Sequence, residues 1–280
     1  MSIEIKNLNY FYNENLLQPY QALYDINLKI YEGDIVAIAG STGSGKSTLA
    51  EIIAGLAVPA SGEVIVDGIN IYEKNLTKET RKKIGMVFQY ADYQLFEETV
   101  EKDIAFAPKQ MGFSEDIVKE KVNHTINILG LPKDIKNRVP FNLSGGEKRK
   151  VAIAGILSFS PKYLIFDEPT VGLDAKGRDE ILNLILRLNR EENTTIIFIS
   201  HSMENIAEIA NKMIVMKDGK IIKYDDVYNV FDDEEILKKA GLSRPKISLF
   251  LQTIKDEGLN VNTSAIKLND GIKEITEAVK

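Results

Sequence analysis

This sequence predicts an α/β fold built on a buried, largely parallel sheet, and three observations carry that prediction. Short apolar runs recur at Ile35–Ala39 (IVAIA), Tyr163–Phe166 (YLIF) and Thr195–Ile199 (TIIFI). Each is followed by small or polar residues and then by a helical pattern. A strand covered on both faces reads as a continuous apolar run, and strands that alternate with helices pair in parallel. The third observation is composition: 280 residues, 44% hydrophobic and 27% charged, suffice for a sizeable core and exclude a disordered chain.

The elements follow in order. Ile3 and Ile5, then Leu23, Ile26, Leu28 and Ile30, alternate with polar residues and predict an antiparallel flank of strands. The run at Ile35–Ala39 leads through a glycine-rich stretch into a helix, STLAEIIAGL. Residues from about 77 to 160 interrupt the strand series with helical periodicity and read as a helical insertion. The strands at 163–166 and 195–199 then resume the sheet. Beyond residue 225 the composition shifts: Asp225–Lys239 holds six acidic residues and two lysines, and Pro245 breaks the chain. The expected division is therefore a unit over 1–225 and a small, mainly helical unit over 226–280.

Charge and composition remove several classes of function. With 35 basic and 41 acidic residues the net charge is −6, a poor match to a polyphosphate backbone, so no nucleic-acid partner is expected. Without cysteine there is no disulfide framework, thiol nucleophile or thiolate zinc site. No run reaches the roughly 18 apolar residues of a membrane span, and the alternating N-terminus lacks a secretory signal's pattern. Any link to a membrane is expected to pass through another protein.

The chemistry begins at Gly40–Thr48, GSTGSGKST, which lies between a strand and a helix. The pattern G-x-x-x-x-G-K-[ST] turns backbone N–H groups inward around phosphate oxygens, and the helix aims its positive end at the same point. Gly40, Ser41, Thr42, Gly43, Ser44, Gly45, Lys46, Ser47 and Thr48 are thus candidate nucleotide ligands. Lys46 would reach the β- and γ-phosphates, and the Ser47 hydroxyl would hold Mg²⁺. At the end of YLIFDEP stand two adjacent carboxylates. Asp167 would hold Mg²⁺; Glu168, turned the other way by the strand's period of two, would take a proton from an attacking water. A third string, Phe141–Ile156, opens a helix at Ser144-Gly145-Gly146 with Lys148, Arg149 and Lys150 in its first turns. Cations there oppose the helix dipole, so either an anion or a partner faces them, or the string is a serine cap with a solvated basic face.

GSTGSGKST, then Gln89 in GMVFQ, LSGGE, LIFDEPTVGLD and His201 in FISHS stand in the order found in ATP-binding cassette (ABC) ATPases, which residues 1–225 resemble. The resemblance implies that Ser144, Gly145, Gly146 and Glu147 form the family signature, which contacts ATP held by a second subunit in a head-to-tail pair. Glu147 departs from the usual glutamine. It further implies that Gln89 senses Mg²⁺ and the attacking water, that Asp174 lies in the loop crossing the dimer seam, and that His201 contacts the γ-phosphate. By the same resemblance Tyr12 stacks on adenine. His124, on a polar helix, reads as a surface residue.

GMVFQYADYQLFEETVEKDIAFAPKQMGFS and VAIAGILSFSPKYLIFDEPTVGLDAKGRDEI are similar to the ATPases of energy-coupling factor (ECF) transporters, and GLSRPKISLF resembles the start of their extra C-terminal domain. Thr42 and the long opening FYNENLLQPYQALYDI look like the second of the two ATPases in such a module. The resemblance implies ATP hydrolysis with Mg²⁺, powering uptake of a vitamin or metal ion at the cytoplasmic face of the membrane. Its expected partners are a second ATPase, a transmembrane coupling subunit gripped through Tyr90–Glu98, and a substrate-binding membrane subunit. Two other classes share the phosphate loop. A P-loop kinase would lack LSGG, and a soluble ABC protein of translation or repair would carry two cassettes or a long coiled-coil insertion.

Overall fold

A computed structural model describes residues 1–13, 18–73, 80 and 82–279. Two sheets organise it. The N-terminal flank pairs β1 (Ser2–Tyr12), β2 (Tyr20–Tyr31), β4 (Ser61–Val66) and β5 (Ile69–Asn70) in the antiparallel order β2-β1-β4-β5. Ile3 faces Ile30, Ile5 faces Leu28 and Leu8 faces Ile26. The apolar positions step from odd to even numbers because the register shifts between Ile5 and Leu8, where Asn7 takes φ +47°. Such a bulge re-aims the side chains that follow it.

The second sheet has the order β10-β9-β3-β8-β7-β6, from β3 (Ile35–Gly40), β6 (Ile84–Val87), β7 (Tyr163–Asp167), β8 (Thr195–Ile199), β9 (Lys212–Lys217) and β10 (Lys220–Asp226). All its pairs are parallel except β10–β9. Its residues divide between two cores. Val36, Ile38, Ile165, Ile197 and Ile199 meet the antiparallel flank and α1 (Lys46–Ile53). Ile35, Ala37, Ala39, Leu164, Phe166, Ile196 and Phe198 meet the helices on the other face. Both faces are covered, which is why the central strands β3, β7 and β8 are almost continuously apolar.

Those helices are α2 (Val100–Gln110), α3 (Glu115–Ile128), α4 (Gly145–Leu157), α5 (Ala175–Glu192) and α6 (Met203–Ile209). The stretch read as a helical insertion over about 77–160 also contains β6, the edge strand paired from Ile84↔Tyr163 to Val87↔Phe166. Four residues flanked by helical patterns leave little periodicity to read. The expected start of the insertion, near 77, lies outside the described residues.

The C-terminal stretch holds α7 (Val227–Asp232), α8 (Glu234–Ala240), α9 (Lys246–Asp256) and α10 (Leu268–Ala278). Its apolar residues divide. Val227, Val230, Phe231, Leu237, Ala240 and Ile266 join the core beneath the parallel sheet. Leu251, Val261 and Ala265 form a small cluster of their own with Ile247, Ile254 and Ile275. The buried Ser248 hydroxyl donates to the Ala265 carbonyl at 2.7 Å and ties that cluster together. No helix among the described residues is long and apolar enough to cross a membrane.

Phe231 is fully buried in the cassette core. Phe231→Ala is therefore expected to destabilise the main unfolding transition by about 3–5 kcal/mol, read by urea denaturation. A main transition left unmoved would mean that α7 folds apart from the cassette.

Candidate functional site

β3, β7 and β8 end at one edge of the parallel sheet, and each run of chain that leaves them carries polar residues. Ligands of open α/β sheets bind at such an edge. A cleft of about 330 Å³ opens there, lined by Tyr12, Thr42, Gly43, Gly45, Lys46, Ser47, Thr48, Gln89, Asp167, Glu168 and His201, among others. Residues from five separate stretches of sequence thus meet in one cavity.

The glycine loop is built for close approach. A Cβ at Gly40 would lie 2.2 Å from the Met216 carbonyl oxygen on the neighbouring strand β9, which no side chain tolerates. Gly45 has φ +99°, a conformation that L side chains avoid, and a Cβ there would also meet Leu23 at 2.8 Å. Lys46 is buried, and its Nζ donates to the Gly40 and Ser41 carbonyls at 3.0 Å each. Burial lowers its pKa, while the Glu168 and Asp167 charges oppose that shift. The buried Ser44 hydroxyl has no hydrogen-bond partner among the described residues. An unpaired buried hydroxyl is costly and marks a place for a ligand atom.

Asp167 is the last residue of β7, and the Ser47 hydroxyl donates to it. Burial raises the Asp167 pKa, against the pull of that hydrogen bond and of Lys46. Glu168 lies outside the strand, and this corrects the expectation that the strand's period of two turns it away from Asp167. The chain leaves β7 at Asp167, and Glu168 takes φ +51°, a left-handed conformation unusual for glutamate. Both carboxylates consequently line the same cleft. Burial, then the Asp167 charge, pushes the Glu168 carboxyl up to about 7. The Glu168 Oε1 atom is buried with no hydrogen-bond partner among the described residues, though His201 Nε2 stands 3.3 Å from it. The His201 pKa is lowered, chiefly by burial and then by the Lys46 charge. Its ring stands ahead of α6, whose cap is the Ser202 hydroxyl accepting from the Asn205 N–H at 3.2 Å.

Tyr12 borders the cleft, and its hydroxyl is 2.8 Å from the Thr48 Oγ1 atom. Tyr20, Ala22, Val171 and Ile199 also line the cavity and were not singled out from sequence. Tyr20 pairs directly with Tyr12 across the β1–β2 ladder, a juxtaposition that only the strand register reveals.

Ser144–Glu147 and Asp174 do not line this cleft. Ser144 caps α4 in a reciprocal box, its Oγ accepting from the Glu147 N–H at 3.3 Å and Glu147 Oε2 accepting from the Ser144 N–H at 3.0 Å. A carboxylate fills the box as well as an amide and adds a favourable charge at the helix start. The bond from the Ser144 N–H, then one that the Ser144 hydroxyl donates to Glu147 Oε2 at 2.8 Å, hold the Glu147 pKa below its ordinary value. Asp174 caps α5, accepting from the Gly177 N–H at 2.8 Å.

The donors fit a magnesium nucleotide. The Ser47 hydroxyl, the Asp167 carboxylate and the Gln89 amide are hard oxygen ligands of the kind Mg²⁺ takes. Lys46 and the buried Ser44 hydroxyl suit phosphate oxygens.

Residues 23–171 match the ABC transporter family. The chain is 45% identical over 277 residues to the energy-coupling factor transporter ATP-binding protein EcfA2 of Clostridium tetani, covering 98% of this chain and 96% of that one. Among solved structures it resembles cbiO1 of Clostridium perfringens, part of the ABC transporter complex cbiONQ, with TM-score 0.74 and 35% identity over 85% of this chain and 93% of that one. It also resembles the dimeric, post-hydrolysis ATP-binding cassette MJ0796 bound to ADP and phosphate, with TM-score 0.71 and 29% identity over 80% of this chain and 98% of that one.

The raised Glu168 pKa makes a stability prediction. Between the ordinary value of 4.5 and about 7 the folded chain holds a proton that the unfolded chain has released. Stability from this group is therefore greatest at low pH and falls as pH rises through that window. Glu168→Gln removes the dependence. At pH 8 the nucleotide-free variant should be more stable than the parent by about 1–3 kcal/mol, and near pH 4.5 nearly equal to it. Urea melts at both pH values test this.

Proposed function

Since this chain belongs to the ABC transporter ATPases, and among them to the ATP-binding proteins of energy-coupling factor transporters, we propose how its cleft divides the work. The protein is the ATP-hydrolysing subunit of such a transporter. The carrying observation is that Lys46, Ser47, Gln89, Asp167, Glu168 and His201 line one cavity. The loop Gly40–Thr48 wraps the phosphates, with Lys46 turning from its backbone carbonyls to the β- and γ-phosphates. Tyr12 stacks on the adenine. Ser47, Asp167 and Gln89 would hold Mg²⁺, which when bound neutralises phosphate charge. Glu168, buried and poised near neutrality, takes the proton of the attacking water. Gln89 orients that water, and His201 holds the γ-phosphate beside Glu168.

Ser144, Gly145, Gly146 and Glu147 lie outside their own chain's cleft and act on ATP held by a partner. The partner is the second, non-identical ATPase of the module, and Asp174 lies at the seam between them. A related cassette that is dimeric with ADP and phosphate supports a nucleotide-dependent pair. Exposed Tyr90, Tyr93 and Phe96 follow Gln89 directly and offer an aromatic grip for the transmembrane coupling subunit. Through it the chain sits peripherally at the cytoplasmic face, and a further membrane subunit selects the vitamin or metal ion. Residues 226–280 add to ATPase–ATPase association.

Glu168→Gln should keep ATP affinity and lose hydrolysis by about 10²–10⁴-fold in the assembled transporter. Wild-type turnover in that variant would remove Glu168 as the base.

Lys46→Ala should weaken nucleotide binding by the isolated chain, whereas Ser144→Arg should leave it near normal and block pairing of the two ATPases. Equal binding losses in the two variants would place the signature in its own chain's site instead.

A further inference from the structure

Arg149 is not among the cleft residues, yet it touches both loops that bear the chemistry. It lies half-buried on α4, five residues beyond Ser144. Its Nη1 donates to the Val171 carbonyl at 3.0 Å and the Pro169 carbonyl at 3.3 Å, and its Nη2 donates to the Gln89 carbonyl at 3.4 Å. One guanidinium thus gathers three carbonyl oxygens from two loops. One oxygen belongs to Gln89 itself, and another to the residue after Glu168. The β6–β7 pairing, which ends at Val87↔Phe166, brings these loops side by side, and beyond it the Arg149 guanidinium stands between carbonyl dipoles that would otherwise repel one another. The same segment is held from its other side: the buried Asn205 Nδ2 donates to the Thr170 Oγ1 atom at 2.9 Å, from the helix that follows His201.

We propose that Arg149 is a positioning residue that sets the Gln89 and Glu168 peptides at hydrolytic spacing and ties that spacing to the placement of the signature helix. This rests on the reading of Glu168 as the base. Because α4 starts beside Ser144 and carries Arg149 one turn further on, a shift of α4 on pairing moves Pro169, Val171 and Gln89 together. A lysine is a poor substitute: its single ammonium lacks the planar fork that spans two loops.

The test measures ATP turnover of the assembled transporter carrying R149A, R149K or E168Q, together with ATP affinity of each isolated chain. Misplacing a reacting group by about an ångström costs up to about 10²-fold. R149A and R149K should lose roughly tenfold or more in kcat, with KM for ATP and isolated-chain affinity within about twofold of the parent. Millimolar guanidinium should recover turnover in R149A and leave R149K unchanged. Wild-type kcat in R149A beside an inactive E168Q overturns the proposal alone. Wild-type kcat in E168Q overturns the site reading and this proposal with it. Parallel losses of kcat and isolated-chain affinity, with no guanidinium recovery, would make Arg149 a prop of the fold and also overturn it. Should R149A not fold, R149K decides by the same split between kcat and KM.

Discussion

Parallel pairing of β3, β8 and β7 is the constraint on which this molecule depends. Ile35 to Ile38 pair with Ile196 to Ile199, and Tyr163 to Asp167 pair with Thr195 to Ile199. The strands therefore end level, and the glycine loop, the two carboxylates and the histidine emerge at one edge. Parallel pairing needs crossovers, and helices cover one face while the antiparallel flank and α1 cover the other, which keeps β3, β7 and β8 almost continuously apolar. Packing that stabilises the core thus also sets the distances across the cleft. The limit appears at Gly40, where β3 approaches Met216 so closely that only a glycine fits.

Against that rigid edge the cleft collects charge at a cost. Asp167 and Glu168 are adjacent, largely buried, and both have raised pKa values, with burial the first cause. Lys46 offsets part of this but is itself pushed down by burial. Glu168 adds left-handed backbone strain and an oxygen without a hydrogen bond. Burial, strain and a missing hydrogen bond on one residue are the marks of a group held for chemistry rather than for stability. A nucleotide and its metal would bring the opposite charges and hydrogen bonds that this arrangement lacks.

Much of this was legible in the sequence, and the exceptions have physical reasons. Buried strands announced themselves at 35–39, 163–166 and 195–199 because both faces are covered. The glycine loop was legible because its close approaches need glycine at fixed spacing. The four residues of β6 were hidden within a helical stretch, and Glu168 left its strand one residue earlier than a period of two implies. Tyr20 entered the cleft only through its pairing with Tyr12. Arg149 read as one cation in a basic helix start, because its partners are backbone carbonyls 20, 22 and 60 residues away and carbonyls leave no trace in a sequence.

The first two turns of α4 have separate physical roles. At its start, Ser144 and Glu147 each satisfy the other's N–H, so the helix start is capped within the chain while its glycines stay open: a Cβ at Gly145 or Gly146 would meet nothing within 4 Å. That open space is on the surface and outside the chain's own cleft, where a second subunit can reach it. One turn on, Arg149 faces inward to the loops of Gln89 and Glu168. One rigid helix therefore links an open surface face to the backbone that carries Gln89 and Glu168. Rigidity makes that link effective, since a packed helix moves as a unit and cannot absorb a displacement at one end without passing it to the other.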